Sequence, residues 1–411
     1  MGQFAEGLFD NHKGHEGTRR ETLETRPFAR LRALRDSLAF VTPALKLIHY
    51  RERTSQERCP ARLLRVKLNL TLMNVPSKTR SSRKICFGLF ALLMLCAAPS
   101  LAQTCYASSD MDEPVRAALE STAKRYFEMA AQGDTASLKQ NAIASLASDF
   151  SGIESAVKDN QASLAGGQAT PRPPFLLKVE GNAPLERAEF LCGVFGANGQ
   201  TANSAEFVIP NLAPGNYGID TLDVSASKGP RTVSFVLRQQ GADWKLGGFY
   251  VQDPQIAGHD GKWFADKARA FRAKAENRDA WFYYLEAREL LAPVPFMYTQ
   301  MTDKLYDESQ TVKPTDLPGD GNTMELAVGG TIYKLIAIFP LPVGEDFDLV
   351  AKYQAADVSD TAKTFRENAA IMKALLARYP EFRDAFDGVV VRAVEPSGKD
   401  YGSMLPMKEI K

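Results

Sequence analysis

The sequence predicts an α+β fold, and three observations support this. Residues 112–165 place apolar side chains at helical spacing, whereas residues 175–252 alternate apolar and polar residues as strands do. Helical spacing returns over 253–310, and a mixed segment of strands and one long helix follows it. Helices and strands that occur in separate blocks are typical of α+β proteins rather than of regularly alternating folds.

Residues 73–102 have the three parts of a bacterial secretion signal. A basic start is followed by 14 apolar residues, 85–98, and then by a small-x-small motif that predicts cleavage between Ala102 and Gln103. The apolar run is shorter than the roughly 20 residues of a spanning helix, although a retained anchor is the alternative. The sequence therefore predicts a periplasmic or extracellular protein without a stable membrane span after signal cleavage.

The segment 1–72 lies upstream of this signal and has a basic composition, with 11 Arg and 3 Lys against 8 acidic residues. Two interpretations fit it. Either Met73 is the true start and the segment is spurious, or the segment is a disordered basic extension that binds acidic partners.

Removing residues 1–102 changes the charge of the chain. The whole chain has 50 Lys+Arg and 49 Asp+Glu, but residues 103–411 have 32 and 41, a net charge of −9. Nucleic-acid binding depends on neutralising phosphates, so an acidic chain of this kind is not expected to bind nucleic acid.

Two of the five cysteines, Cys105 and Cys192, remain after cleavage. An even number of cysteines in an oxidising compartment predicts one disulfide between them. The alternative is a pair of unpaired thiols, with Cys192 as a small buried apolar residue.

Two short patterns between 110 and 252 carry a family resemblance. The segment from Tyr126 to Asp134 (YFEMAAQGD) resembles the first helix and turn of the nuclear transport factor 2-like superfamily, and 241–249 (GADWKLGGF) is similar to its last strand. The resemblance implies a cone of helices against a bent sheet, often with an enclosed pocket. Some members are isomerases or cyclases that use an Asp or His inside the cone, and others are non-catalytic.

Asp220 and Asp223 are the weak pocket candidates that this resemblance implies. They lie three residues apart on a predicted strand, so they face opposite sides of the sheet and cannot act as a pair. A buried aspartate with a raised pKa would be the signature of an acid/base role.

A second motif favours a different architecture for 174–252. The segment from Phe207 to Tyr217 (FVIPNLAPGNY) resembles a hairpin of transthyretin-like and carboxypeptidase-regulatory β-sandwiches. Helices followed by a β-sandwich are therefore the alternative to the cone.

Residues 253–312 predict a helical hairpin, and 262–293 resembles one tetratricopeptide unit. Stacked repeats normally need three or more units, so a single hairpin is expected to pack between domains rather than to bind peptides. The linker 313–322 opens the predicted C-terminal α+β domain, 313–411, whose long helix is expected to bury Phe365.

Residues that could carry chemistry are few after position 102. His259 precedes Asp260 in a glycine-flanked turn, and Asp316, Asp320 and the segment 345–348 are interpreted as solvated turn residues. The sequence contains no calcium-loop spacing, phosphate loop or nucleophile elbow, and it predicts neither a metal site nor a cofactor.

The expected function is that of an exported, non-catalytic binding or assembly protein of the periplasm or cell envelope. Its partner is unknown, with a protein or a small apolar ligand as the candidates. The alternatives are a pocket enzyme of the isomerase/cyclase type in 110–252, or a peptide-binding scaffold formed by the helical hairpin.

Overall fold

The computed structural model describes residues 103–196, 199–319 and 321–411. The expected signal peptide with its cleavage site after Ala102, the segment 1–72 and Asp320 lie outside these residues. The described chain combines helices with several mainly antiparallel sheets, which confirms the α+β class.

The described residues of the first region, 103–252, form four α-helices and ten strands. In chain order they are β1 (Gln103–Tyr106), α1 (Glu113–Gln132), α2 (Thr135–Gln140), α3 (Ala144–Ser148), α4 (Ser151–Leu164), β2 (Gln168–Pro171), β3 (Phe175–Val179), β4 (Leu185–Cys192), β5 (Phe195–Gly196), β6 (Gly199–Gln200), β7 (Ala205–Leu212), β8 (Gly215–Ala226), β9 (Gly229–Gln240) and β10 (Asp243–Gln252).

The rest of the chain contains a helical segment and then a second sheet. Its elements are β11 (Gln255–Ile256), β12 (His259–Asp260), α5 (Gly261–Ala273), α6 (Asn277–Leu291), β13 (Met297–Thr299), α7 (Gln300–Gln310), β14 (Met324–Val328), β15 (Thr331–Val343), β16 (Asp346–Gln354), α8 (Thr361–Arg378), α9 (Phe382–Ala385), β17 (Gly388–Val394) and β18 (Asp400–Pro406).

Local sequence explains the ends of the first helices. Pro114 lies in the first turn of α1, where its missing N–H is not needed, and Gly133 ends the helix with a φ of 74°. The carboxylate of Asp134 then accepts the Ser137 N–H at 3.0 Å and caps α2.

The first region is built in three layers. Helices α1 and α4 cover one face of a six-stranded sheet, in which β1, β3, β8, β9 and β10 lie side by side and β2 also pairs with β8. The phenol of Tyr126 on α1 donates to the Trp244 carbonyl at 2.8 Å and so ties the helix to the last hairpin of this sheet. On the other face lies a three-stranded sheet with the order β13-β7-β4.

The segment from Phe207 to Tyr217 connects these two sheets. It ends β7 in the three-stranded sheet and begins β8 in the six-stranded sheet, so the chain crosses between layers at Ala213 and Pro214. The Tyr217 phenol donates to the Ala213 carbonyl at 2.8 Å and stabilises the crossing.

A disulfide joins Cys105 on β1 to Cys192 on β4, with their Cα atoms 5.1 Å apart. It therefore connects the edge of the six-stranded sheet to the three-stranded sheet. The bond itself confirms the disulfide predicted from the even number of cysteines after residue 102.

The second sheet has the order β14-β15-β16-β17-β18 and is antiparallel except for the pair β16–β17. Helix α8 connects these two parallel strands, since parallel neighbours need a crossover. It packs with α5 and α6 on the sheet face that carries Phe347, whose ring lies 5.2 Å from that of Phe264.

The buried face of α8 differs from the expected one at Phe365, whereas Met372, Leu375 and Leu376 are buried. Phe365, expected in the core, is 43% exposed, whereas Asn368 is fully buried. The Asn368 amide donates to the Val391 carbonyl at 3.1 Å and to the Ser403 hydroxyl at 2.9 Å. These contacts with β17 and β18 fix the rotation of the helix and leave Phe365 outside.

Candidate functional site

Asp220 lies inside the first region, on the face of β8 that is covered by α1. Its side chain is 1% exposed, and neither carboxylate oxygen has a hydrogen-bond partner among the described residues. Burial, with a smaller contribution from the negative charge of Glu120, raises the pKa of Asp220 to about 8. Burial therefore favours the protonated, uncharged form of Asp220.

The space around Asp220 is filled by apolar side chains. A Cβ atom on Gly218, the neighbour two residues before it, would collide with the Leu119 side chain and lie 3.4 Å from Asp220 Oδ2. Leu119, Leu222 and Phe235 are all fully buried in the same core. In this conformation the carboxyl group is sealed from any substrate.

Asp223 lies on the opposite face of β8, as its three-residue spacing from Asp220 predicts. It is exposed, and its Oδ1 forms an ion pair with Arg172 Nη2 at 2.6 Å. An exposed ion pair of this kind stabilises a surface modestly and gives no acid/base function.

A cleft of about 360 Å³ lies between the start of α1 and one end of the six-stranded sheet. Its walls mix apolar and polar side chains, namely Tyr106, Asp110, Met111, Asp112, Val115, Leu176, Lys178, Asn216, Gln239 and Trp244. The Asn216 amide donates to Gln239 Oε1 at 2.8 Å, and Lys178 Nζ lies 4.6 Å from the centre of the Tyr106 ring. The cleft therefore offers the carboxylates of Asp110 and Asp112, two amide groups and one ammonium among its apolar side chains.

A second cavity, of about 420 Å³, lies at the ends of three strands of the second sheet. It is lined by Asp346, Asp348, Phe386, Asp387, Gly388, Met404, Pro406, Met407 and Lys408. Asp348, interpreted from sequence as a solvated turn residue, is in fact 2% exposed within β16, because its carboxylate packs over Gly388 of β17, which has no side chain to displace it. Phe347 and Leu349 lie on the opposite face of the strand, so the alternation of apolar and polar residues carried no signal for this burial.

The turn at His259 has a structural role. Its imidazole stacks on the Trp263 ring with the ring centres 3.6 Å apart, and Asp260 caps α5 by accepting the Trp263 N–H at 2.8 Å. Phe271 and Tyr284 of the helical hairpin are buried in the core that these helices share with the second sheet. These aromatic side chains therefore hold the hairpin against that sheet.

The described parts of the chain lack two further kinds of feature. No group of three His, Cys, Asp or Glu side chains there is arranged to hold a metal ion. No helix of residues 103–196, 199–319 and 321–411 is long and apolar enough to cross a membrane.

Comparison of the chain with protein-family models, with curated proteins and with solved structures gives no match in any of the three.

Proposed function

We propose that this chain is an exported, non-catalytic binding protein of the periplasm or cell envelope, and that the cleft of the first region binds its ligand. The observation that carries the proposal is the distribution of space in this region. Leu119 occupies the space above Gly218 beside Asp220, whereas the cleft between α1 and the sheet leaves about 360 Å³. A cleft of this size, with polar and apolar side chains in its walls, suits a small amphipathic ligand.

Export is supported by the signal-like segment 73–102 and by the Cys105–Cys192 disulfide, since disulfides persist in oxidising compartments. Expression of the full gene in a bacterial host, followed by intact-mass measurement of the periplasmic fraction, tests this part. A protein that begins at Gln103 is the expected result. A product that retains residues 1–72 in the cytoplasm contradicts export.

Ligand binding at the cleft is tested by NMR with a library of small amphipathic fragments. Shifts of the Trp244 indole and the Met111 methyl group are the expected response, since both side chains line the cleft. Lys178→Met removes the ammonium of the cleft and should weaken polar or anionic fragments, whereas Lys228→Met, in the exposed turn after β8, is the matched control. Ligand binding at the cleft is contradicted if no fragment shifts the Trp244 or Met111 signals, or if the fragments bind Lys178→Met and Lys228→Met with equal affinity.

A pocket enzyme is the second candidate, and the raised pKa of Asp220 is the observation that favours it. It requires a conformation in which Leu119 moves away from Gly218 and connects the cleft to the carboxyl group. Asp220→Asn distinguishes the two functions. The variant should bind a cleft ligand as tightly as the original chain if the protein only binds, and it should lose turnover if the protein is an enzyme.

A further inference from the structure

The cavity of the second sheet contains a carboxylate oxygen that nothing in the described chain satisfies. Asp348 is 2% exposed, and its Oδ2 has no hydrogen-bond partner among the described residues, although the Gly388 N–H bonds the carboxylate. Burying a charged oxygen without a partner is costly. Because Asp348 lines a cavity of about 420 Å³, a group that enters this cavity can compensate the charge.

Two more carboxylates lie at the same cavity. Both Asp346 and Asp387 are exposed. The burial of Asp348 is the largest cause that raises its pKa to about 7, and the negative charges of Asp346 and Asp387 are the next causes. Asp387 also accepts the Phe347 N–H through Oδ2 at 2.8 Å, so its position is fixed. Lys408 lines the cavity as well, but its ammonium is not among the charges that act on the pKa of Asp348. The field inside the cavity is therefore negative.

The remaining wall of the cavity is apolar. Phe386 is 5% exposed, Met404 is 40% exposed, and Pro406 and Met407 complete this wall. An alkyl chain gains free energy by covering such a surface, whereas a hydrated inorganic ion gains nothing from it. Methionine side chains also adapt to ligands of different shape.

We propose that this cavity binds a primary ammonium group on an alkyl chain, with Asp348 beneath the charge and Met404 and Met407 along the chain. A free alkylamine and the lysine side chain of a peptide share this chemistry. The site lies in the second sheet and shares no lining residue with the cleft of the first region. A failure of ligand binding at the cleft would therefore not contradict ammonium binding at this cavity.

The test uses the purified exported protein with methyl-labelled methionines at pH 8, where Asp348 is mostly ionised. Pentylammonium chloride is titrated while the Met404 and Met407 methyl signals are followed, and 1-pentanol serves as the uncharged probe of equal length. Saturable shifts with the ammonium and none with the alcohol are expected. The alcohol binding as tightly as the ammonium, or no saturable shift with the ammonium, would overturn the proposal.

Charge variants locate the site. Asp346→Asn changes an exposed side chain and should weaken pentylammonium binding about tenfold, with a similar or larger loss for Asp348→Asn. Lys408→Met removes a competing cation and should strengthen binding about threefold. Glu325→Gln, on β14 and away from the cavity, is the matched control. Equal affinities for Asp346→Asn and the control contradict the proposal, even if Asp348→Asn fails to fold.

Proton release gives a readout that a merely structural carboxylate does not. A bound cation lowers the pKa of Asp348, so binding at pH 7 releases protons and the calorimetric heat depends on the ionisation enthalpy of the buffer. The charged groups that face Asp348 at this cavity are Asp346, Asp387 and Lys408. Heats that are identical in phosphate and Tris contradict the role of Asp348.

Comparing pentylammonium with Nα-acetyl-lysine methylamide then distinguishes the two sources of the ammonium group. Tighter binding of the free amine indicates a metabolite, and tighter binding of the lysine derivative indicates a peptide.

Discussion

Asp220 in the first sheet and Asp348 in the second are both aspartates that are buried within β-strands. Both have carboxylate oxygens without partners in the described chain, and burial raises the pKa of each. They differ in their surroundings, because Leu119 and its neighbours close the space over Asp220, whereas Asp348 lines a cavity with two further carboxylates.

This difference shows that a raised pKa can occur at a carboxyl group that a ligand reaches and at one that no ligand reaches. Desolvation alone raises the pKa wherever a carboxyl group is enclosed, whether or not a ligand can reach it. Asp279 on α6 makes the same point, since burial raises its pKa to about 8 inside the packed helical hairpin. A raised pKa indicates a binding site only where the fold also leaves room for a ligand beside the carboxyl group.

Removing the disulfide should have the largest effect on stability, and this effect should be confined to the first region. The bond closes a loop with a sequence separation of 87, so Cys105→Ala with Cys192→Ala should destabilise the first region by about 4 kcal/mol. Hydrogen exchange in urea is the measurement, with amides of β8 losing protection before those of β16. Equal loss in both sheets would mean that the two regions unfold as one unit.

Asp220→Asn should stabilise the protein at high pH. The folded pKa of about 8 lies above the unfolded value of about 3.9, so the folded state keeps a proton that the unfolded state loses, and stability falls as pH rises from about 4 to 8. At pH 8 the variant should be about 3 kcal/mol more stable, because the ionisation cost disappears while a buried amide remains. Urea denaturation at pH 5 and pH 8 measures this, and Asp223→Asn on the exposed face is the control. A gain of the same size at both pH values would refute the assigned cause.

Gly218→Ala tests whether the space above Asp220 is closed. The new methyl group would push Leu119 out of a filled core and should cost about 2 kcal/mol of unfolding free energy. Thermal denaturation is sufficient to measure it. A variant as stable as the original chain would reveal room for a substrate beside Asp220 and would favour the enzyme.

Asp348→Asn should have a smaller effect on stability than Asp220→Asn. Its folded pKa of about 7 again lies above the unfolded value, so its contribution to stability falls as pH rises from about 4 to 7. The Gly388 N–H stabilises the ionised carboxylate of Asp348, whereas Asp220 has no such donor, so a gain of only about 1 kcal/mol at pH 8 is expected. Urea denaturation at pH 5 and pH 8 compares the two variants directly. A gain as large as that of Asp220→Asn would indicate that the cavity is closed to water.

Local sequence was sufficient to predict the α+β class and the Cys105–Cys192 pair. Each depends on spacing or residue counts, which are visible within a short window or in the composition. Phe365 and Asp348 were misjudged for a different reason. The rotation of α8 is set by the bonds of Asn368 to β17 and β18, and the cavity at Asp348 is completed by residues more than fifty positions later. Contacts at that range leave no periodic trace in the sequence.

Strand β13 has a consequence for how the chain can be made and divided. Its residues 297–299 pair with β7, and Val294 and Phe296 just before it enter the core between the two sheets of the first region, whereas α5 and α6 pack against the second sheet. During synthesis, the first region cannot close its three-stranded sheet until the ribosome has released the helical hairpin. A fragment that ends at residue 252 would expose an unpaired edge of β7, so the shortest self-sufficient form of this region extends past residue 299.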